Sequence, residues 1–452
     1  MIRISQDLKK RLGRKLVGVG LSSTLVFSTV FAGNTDWIAE SRIIAKETEY
    51  KVEIEDSQVD AGNYGLASNI QDGTILHCFD WKYNDIKAEL PNIAAAGFTS
   101  VQTSPAQKGD GDVWYWLYQP QTFSIAQNAL GNKADLQALC DEAEKYGIKV
   151  VVDVVANHTR SIGDDGLGAD CFHNDGDAWY TDRYGITHGK IGMPDLNSES
   201  STVQNKVKGY IEELKSVGVD GIRWDAAKHI SLPSEGCQFW PVVTSVGLYN
   251  YGEILVGPLE NGGEGLMKEY TNHMSVTDSK YGQSIREAFE HGGVPSSIGN
   301  WSERGVSKDK LVYWAESHDT YSNDGEYGEQ TAYTDQNIMD RAYAIVAGQG
   351  KATSLYFSRP HETRKQSIKA GVKGSTHFTS KEVAAVNHLH NNCVGEKDYY
   401  VNGGSAAAVC RESGAVIVKG SGSGHVEISN GGGTTAPVRW TMCSAMIYLW
   451  FT

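Results

Sequence analysis

The sequence predicts an α/β protein built on a closed (β/α)8 TIM barrel, with an insertion after strand three and a C-terminal all-β domain that ends short. Three observations predict it. Eight short β-branched or aromatic runs recur from Thr74 onward, helical patterns lie between them, and two connections are too long for simple βα loops. Alternating strand and helix signals argue for βαβ units on a parallel sheet, and a closed barrel of this kind needs eight strands.

The runs are Thr74–Phe79, Thr99–Thr103, Lys149–Val155, Gly221–Asp225, Tyr249–Ile254, Met274–Asp278, Leu311–Ala315 and Ser354–Phe357. Between them, Asp135–Tyr146 sets Leu136, Leu139, Cys140 and Ala143 on one helical face and stops at Gly147. Val203, Val207, Tyr210, Ile211, Leu214 and Val217 form a second stripe, ending at Gly218. Further on, Thr379-Ser380-Lys381-Glu382 reads as a capping box that opens another helix. These stripes pack a core and carry no chemistry. The long connections are 105–132, with Trp114, Tyr115, Trp116 and Tyr118, and the Gly- and Asp-rich 159–200. Long loops in a compact domain are usually functional, and here they rise from the C-terminal ends of strands two and three, the face where barrels do chemistry. From about Gly371 the rhythm changes to short runs, Tyr399–Val401, Ala406–Cys410 and Ala415–Val418, which predict a small β domain.

The 452 residues thus divide into a leader at 1–32, a linker or N-terminal extension at 33–65, the barrel at 66–370 and the β domain at 371–452. With 40% hydrophobic and 10% aromatic residues the chain can bury a large core, which argues against disorder. The formal charge is −14; residues 1–32 hold +5 of it and the remainder −19. So acidic a body repels phosphate backbones and excludes nucleic acid as a partner. The basic leader, the apolar stretch Leu16–Ala32 and Val30-Phe31-Ala32 before Gly33 read as a secretory signal, hence a secreted chain with no membrane attachment once it is removed. Seven cysteines without CxxC spacing leave at least one thiol unpaired and give no zinc framework. After Gly431-Gly432-Gly433 the tail lacks turn residues and alternation, the pattern expected of a truncation or a shifted reading frame.

Four segments put acids or histidines at predicted strand ends: Asp153–His158, Gly221–His229, Gly252-Glu253 and Glu316–Asp319. Strands three, four, five and seven of one barrel converge on one mouth, so Asp225, Glu253 and Asp319 meet there with His158, His318, Arg223 and an aromatic loop. Cleaving a glycosidic bond with retention needs two carboxyl groups about 5–5.5 Å apart. Neighbouring strands lie about 4.8 Å apart, so Asp225 and Glu253 meet that distance. Arg223, two residues before Asp225 and on the same strand face, holds it ionised. Glu253 has no adjacent cation in sequence, which leaves its carboxyl free to be raised as a general acid requires. Asp319 binds and distorts the sugar, His158 and His318 donate to its hydroxyls, and Tyr118 stacks on its face.

The four segments resemble, in order and spacing, the conserved regions of the α-amylase family of retaining glycoside hydrolases, from about Asp72 to Pro360. Gly73-Thr74-Ile75-Leu76-His77, Gln102-Thr103-Ser104-Pro105 and Tyr118-Gln119-Pro120 are similar to secreted bacterial α-amylases. The resemblance implies Asp225 as nucleophile, Glu253 as acid/base and Asp319 as transition-state stabiliser. Arg223, His158, His318 and Tyr118 would line the subsite of the cleaved sugar, with Lys228 and His229 on the leaving-group side. It also implies that 159–200 is the family's domain B, in which Met193-Pro194-Asp195-Leu196-Asn197 resembles a motif near the domain's end. Asn157, Asp195 and the backbone carbonyl of His229 would then hold a structural calcium ion. Ser317 stands where chloride-binding relatives carry Asn, so no chloride is expected.

The function expected is endo-hydrolysis of internal α-1,4 bonds in starch, glycogen-like glucans and maltooligosaccharides, by a secreted monomer using double displacement. The nearest alternative, an α-1,4-glucanotransferase, shares the mechanism and differs in the acceptor. A silent glucan-binding barrel would have lost one of the three carboxylates. A metal-dependent barrel hydrolase would need His-x-His at the first strand's end, where this chain has His77-Cys78-Phe79.

Overall fold

Eight parallel strands close in sequence order in the computed structural model, which describes residues 64–254, 263–297, 306–323, 331–421, 424–429, 435–440 and 446–450. They are β1 (Thr74–Cys78), β2 (Ser100–Thr103), β3 (Lys149–Val155), β4 (Gly221–Asp225), β5 (Tyr249–Gly252), β6 (Ser275–Thr277), β7 (Leu311–Trp314) and β8 (Thr353–Phe357). Pairing of Thr74 with Ser354 and of Ile75 with Leu355 closes the ring. Every residue of β1, β2, β7 and β8 is buried, because helices cover the outside and side chains fill the lumen. That is why even their polar residues, such as Gln102 and His77, are buried. Register decides what reaches the mouth: Asp153 pairs with Arg223, Val155 with Asp225, and Trp224 with Gly252. Alternation then gives Asp153, Arg223 and Asp225 one face of the sheet, with Tyr251 and Glu253 beside them.

The helices start where side chains satisfy their orphan N–H groups. Asn132 caps helix Lys133–Lys145, accepting from Ala134 N at 2.8 Å and Asp135 N at 3.1 Å, while Asp135 returns a bond to Asn132 N at 3.0 Å. This box starts the helix two residues before the apolar stripe suggests. Helix Ser201–Ser216 buries Val203, Val207, Tyr210, Ile211 and Leu214, the expected stripe. Helix Lys381–Asn392 corrects the predicted box: Ser380, not Thr379, is the cap and accepts from Val383 N at 3.4 Å, because Thr379 closes the preceding turn His377–Thr379.

The insertion after β3 is two short turns, Asp164–Gly166 and Ala169–Cys171, and helix Arg183–His188, which Asp182 caps through Gly185 N at 2.8 Å. Leu167, Cys171, Phe172, Ile186 and Leu196 give it a small core. A bridge from His158 to Asp195 ties its end to the residues after β3, and one from Phe172 to Leu196 closes the insertion on itself.

The C-terminal strands are β9 (Tyr399–Asn402), β10 (Ala406–Cys410), β11 (Gly414–Lys419), β12 (Gly424–Ser429), β13 (Thr435–Trp440) and β14 (Met446–Trp450). One antiparallel sheet runs β14-β11-β10-β9, and β12 pairs with β13. The tail, for all its lack of alternation, pairs Met446–Trp450 with Val418–Gly414. The β domain docks closely on the barrel. A Cβ on Gly348, at the end of helix Gln336–Gly348, would lie 2.5 Å from Val416 Cγ1. Arg411, 1% exposed, donates to the carbonyls of Gly348 at 3.2 Å, Glu396 at 3.2 Å and Cys393. The six cysteines among the described residues are buried, and Cys78, Cys140, Cys171, Cys237 and Cys393 are free thiols. Cys443, the leader at 1–32 and nearly all of the 33–65 extension lie outside the described residues. Among those described, no helix is long and apolar enough to cross a membrane.

Candidate active site

The last residues of β3, β4 and β5 converge on one guanidinium. Arg223 Nη1 reaches Asp153 at 2.9 and 3.0 Å and Asp225 Oδ1 at 2.8 Å, and its Nη2 reaches Glu253 Oε2 at 3.1 Å. Asp225 and Glu253 therefore stand together on the two arms of one cation, which brings the two expected catalytic carboxylates into a single cleft. The expectation that Glu253 lacks a cation is corrected here. In sequence Arg223 is remote from it, but the β4–β5 register puts the two on adjacent strands. Glu253 also accepts from the backbone N–H of Ala226 at 2.9 Å. That N–H is aimed by a left-handed turn: Ala226 has φ 47° and ψ 33° immediately after Asp225. A non-glycine residue held there costs about 1–3 kcal/mol, a strain found where surrounding structure enforces it at functional sites.

Asp319 enters from helix His318–Ser322, capped by Ser317, and joins the same cavity of about 240 Å³ as Arg223, Glu253, His77 and His318. Asn323 donates to its Oδ1 at 3.0 Å, and His318 Nε2 lies 3.3 Å from its Oδ2. Four carboxylates around one guanidinium cannot all ionise freely. Burial raises Asp225 to about 6, with Arg223 opposing and Glu253 and Asp153 adding to the rise. Burial and then the charge of Glu253 raise Asp319 to about 8, although its side chain keeps 35% of its surface open to the cleft. Near neutral pH the cluster holds a proton while Asp225 is ionised, and the group titrates as a unit.

Asp153 is a site residue that the sequence reading passed over. It is fully buried, bonded to Arg223 and to the Tyr118 hydroxyl at 2.9 Å. Its signal was available: a lone acid inside the apolar strand Lys149–Val155 must have a buried partner. His77, 1% exposed at the end of β1, is a second omission, and it packs edge-on against His318 with centroids 5.4 Å apart.

The aromatic loop forms the wall. Tyr118 stacks on His318 at 5.1 Å and 15°, and Phe79 lies on the ring's other side at 5.3 Å. Tyr118 is 8% exposed, so most of its face is engaged by His318. Burial, Arg223 and His77 hold His318 well below the ordinary histidine range, so it is a neutral donor or acceptor. His158 is also pushed down by burial, and its Nε2 donates to the Tyr118 carbonyl at 3.0 Å. A neutral ring that donates through Nε2 offers Nδ1 as an acceptor. His158 therefore does not donate to a sugar in this tautomer.

The remaining expected residues sit around this centre. Lys228 lies over the ring of Tyr180 at 5.5 Å, and its backbone N–H donates to the Glu253 carbonyl at 3.3 Å. The His229 ring, 5% exposed, donates from Nδ1 to the Ile186 carbonyl at 2.8 Å and so ties the insertion to the turn after β4. Glu316, part of the fourth segment, is held by Arg359 at 2.7 and 2.9 Å away from the carboxylate cluster. Asn157 donates to Asp195 Oδ1 at 3.0 Å, and Asp195 Oδ2 meets His173 Nδ1 at 2.7 Å. Asp195 is 0% exposed, and burial raises it to about 7 even with these partners.

No protein-family profile matches the chain. Among curated relatives, an α-amylase of Clostridium acetobutylicum is 35% identical over 388 residues, covering 79% of this chain and 49% of the relative. An α-amylase of Butyrivibrio fibrisolvens is 31% identical over 415 residues, covering 77% of this chain and 42% of the relative. The chain thus spans about half the length of these relatives. Among solved structures, α-amylase I from Eisenia fetida superposes with a TM-score of 0.68 at 19% identity, over 84% of this chain and 97% of that one. An α-amylase from Malbranchea cinnamomea gives 0.67 at 16% identity, over 84% and 96%. Together with the barrel and the acids at its mouth, these likenesses place the chain in the α-amylase family.

Proposed function

We propose that this chain is an α-amylase-type glycoside hydrolase that cleaves internal α-1,4 bonds of starch and related glucans with retention of configuration. The observation that carries the reading is the placement of Asp225 and Glu253 on the two arms of Arg223. Retention needs carboxyls about 5–5.5 Å apart, and a shared guanidinium suits that closeness better than the about 6.5–9.5 Å that inversion requires. In this mechanism Asp225 attacks the anomeric carbon and forms a glycosyl-enzyme. Glu253 gives a proton to the leaving oxygen, then takes one from the water that releases the sugar. Asp319, raised by its neighbours, supplies the cluster's retained proton to hydrogen-bond the sugar. Tyr118 and His318, stacked on each other, wall the cleft beside the sugar. Support for an oligosaccharide substrate comes also from a variant of Eisenia fetida α-amylase I solved with maltohexaose, at TM-score 0.65.

A structural calcium ion fits Asn157, Asp195 and the His229 carbonyl. The donors are hard oxygens on separate segments, and the buried Asp195 is raised to about 7, a sign that its charge is incompletely offset by protein groups. When bound, the ion would supply positive charge that fastens the insertion to the barrel. The basic and apolar leader supports export of the chain.

The deciding experiment separates the sugars released from soluble starch and follows their anomeric form. Internal cleavage with α-products and steadily rising reducing ends is expected. β-Products would overturn the retaining mechanism, and a flat reducing-end count would assign a transferase.

A further inference from the structure

The insertion carries a second donor cluster, joined to the oxygen set just described by the hydrogen bond between His173 and Asp195. His173 follows the turn Ala169–Cys171, His188 ends helix Arg183–His188, and Glu199 precedes helix Ser201–Ser216. One potential ligand atom from each lies within 4.8 Å of the other two. We propose that His173, His188 and Glu199 bind a divalent transition-metal ion, zinc being the best match.

The geometry is close to a finished site. His173 Nε2 already lies 3.0 Å from Glu199 Oε2. Ligands on a tetrahedral zinc with bonds of about 2.0–2.1 Å stand roughly 3.3 Å apart, so the His188 nitrogen has only an ångström or so to travel. The two imidazoles face each other with centroids 4.3 Å apart and planes at 31°. Tyr184 stacks on His188 at 3.9 Å and 14°, which restrains its ring.

Hydrogen bonds leave His188 one free nitrogen, whereas both nitrogens of His173 donate to carboxylates. Thr187 Oγ1 donates to the Arg183 carbonyl at 3.1 Å, so it accepts from His188 Nδ1–H at 2.9 Å and leaves Nε2 with its lone pair. His173 Nδ1 bonds the buried Asp195 carboxylate at 2.7 Å, and its Nε2 points to Glu199. A carboxylate behind one ring nitrogen with a ligand position at the other is the outer-sphere arrangement of zinc-binding histidines. The donor set is two borderline nitrogens and one oxygen, which suits zinc and not calcium, whose sites need six to eight oxygens. His173 is 8% exposed and Glu199 31%, so the site is dry on one side and open to an entering ion on the other. On binding, the ion replaces the proton shared by His173 and Glu199, which passes to solvent.

The test uses the full chain, stripped with EDTA and then returned to calcium-saturated buffer. Zinc chloride is titrated calorimetrically, and cobalt(II) is added separately to read its visible ligand-field bands. One equivalent of zinc and an intense, tetrahedral-type cobalt spectrum are expected. Loss of an outer-sphere partner weakens zinc by about 10–100-fold, so His188→Ala and Glu199→Gln should each weaken it by at least about 100-fold. Glu199→Gln preserves shape, which guards against a folding defect in the histidine variant. Absence of saturable zinc binding in the wild type, or one unaltered equivalent in both variants, would overturn the site. The readout is metal binding in excess calcium, so it stands or falls independently of the glucan-hydrolase reading.

Discussion

Arg223 decides the electrostatics of the cleft. Its guanidinium bonds Asp153, Asp225 and Glu253, and it opposes the rise that burial imposes on Asp153 and Asp225. Substituting Glu253→Gln removes the proton donor and should lower kcat by roughly 10²–10⁴-fold. Asp225→Asn, which removes the nucleophile, should lower it at least as far, with both variants melting like the wild type. Normal turnover in either variant, measured by reducing-sugar release, would refute the assignment. The pH profile of kcat/KM follows from the same cluster. Activity should rise as pH passes about 6, where Asp225 ionises, and fall as pH passes about 8, where the proton on Asp319 is lost. A profile flat between pH 5 and 9, about a unit beyond each limb, would contradict the raised acids. The three proposed catalytic acids stood out in sequence because each lies at or just beyond the end of a strand. Asp153 was legible in principle, as a charge inside an apolar strand, and its pairing with Tyr118 was not.

The strands were read nearly to the residue, because strands covered on both faces are short runs rich in β-branched and aromatic residues bounded by turns. Lys149–Val155 and Gly221–Asp225 coincide with prediction. Helix starts were read less well: Asn132 and Ser380 set them through side-chain caps that an apolar stripe does not encode. The turn after β4 was not legible at all, since nothing in Asp225-Ala226-Ala227 announces a left-handed alanine. Close approach of elements is equally silent in sequence. Gly348 looks like an ordinary helix end, yet a Cβ there would strike Val416 Cγ1 at 2.5 Å, with Val409 Cβ 3.2 Å away. Gly348→Ala should therefore destabilise the chain by about 1–3 kcal/mol, read as a lower denaturation midpoint. An unchanged midpoint would mean that the β domain packs more loosely on the barrel.

At the scale of the molecule, the insertion shares the barrel's core through Leu167, Cys171, Phe172 and Leu196. It adds polar ties between Asn157 and Asp195 and between His229 and Ile186, where an ion should strengthen its docking. Stripping with EDTA should lower the Tm by several degrees, and calcium alone should restore most of the loss; an unchanged melt would remove the calcium assignment. The (β/α)8 order, the insertion, the β domain and the acids at the strand ends were all present in the chain's local patterns. Each is a matter of periodicity and strand ends, and local patterns record periodicity. The partners of those residues were decided by closure of the barrel and by docking of the insertion. Closure put Glu253 on Arg223, and docking turned His229 toward Ile186 and joined His173, His188 and Glu199. Such pairings join residues distant in the chain, and their energies depend on burial and distance, quantities that come into being only when the chain has folded.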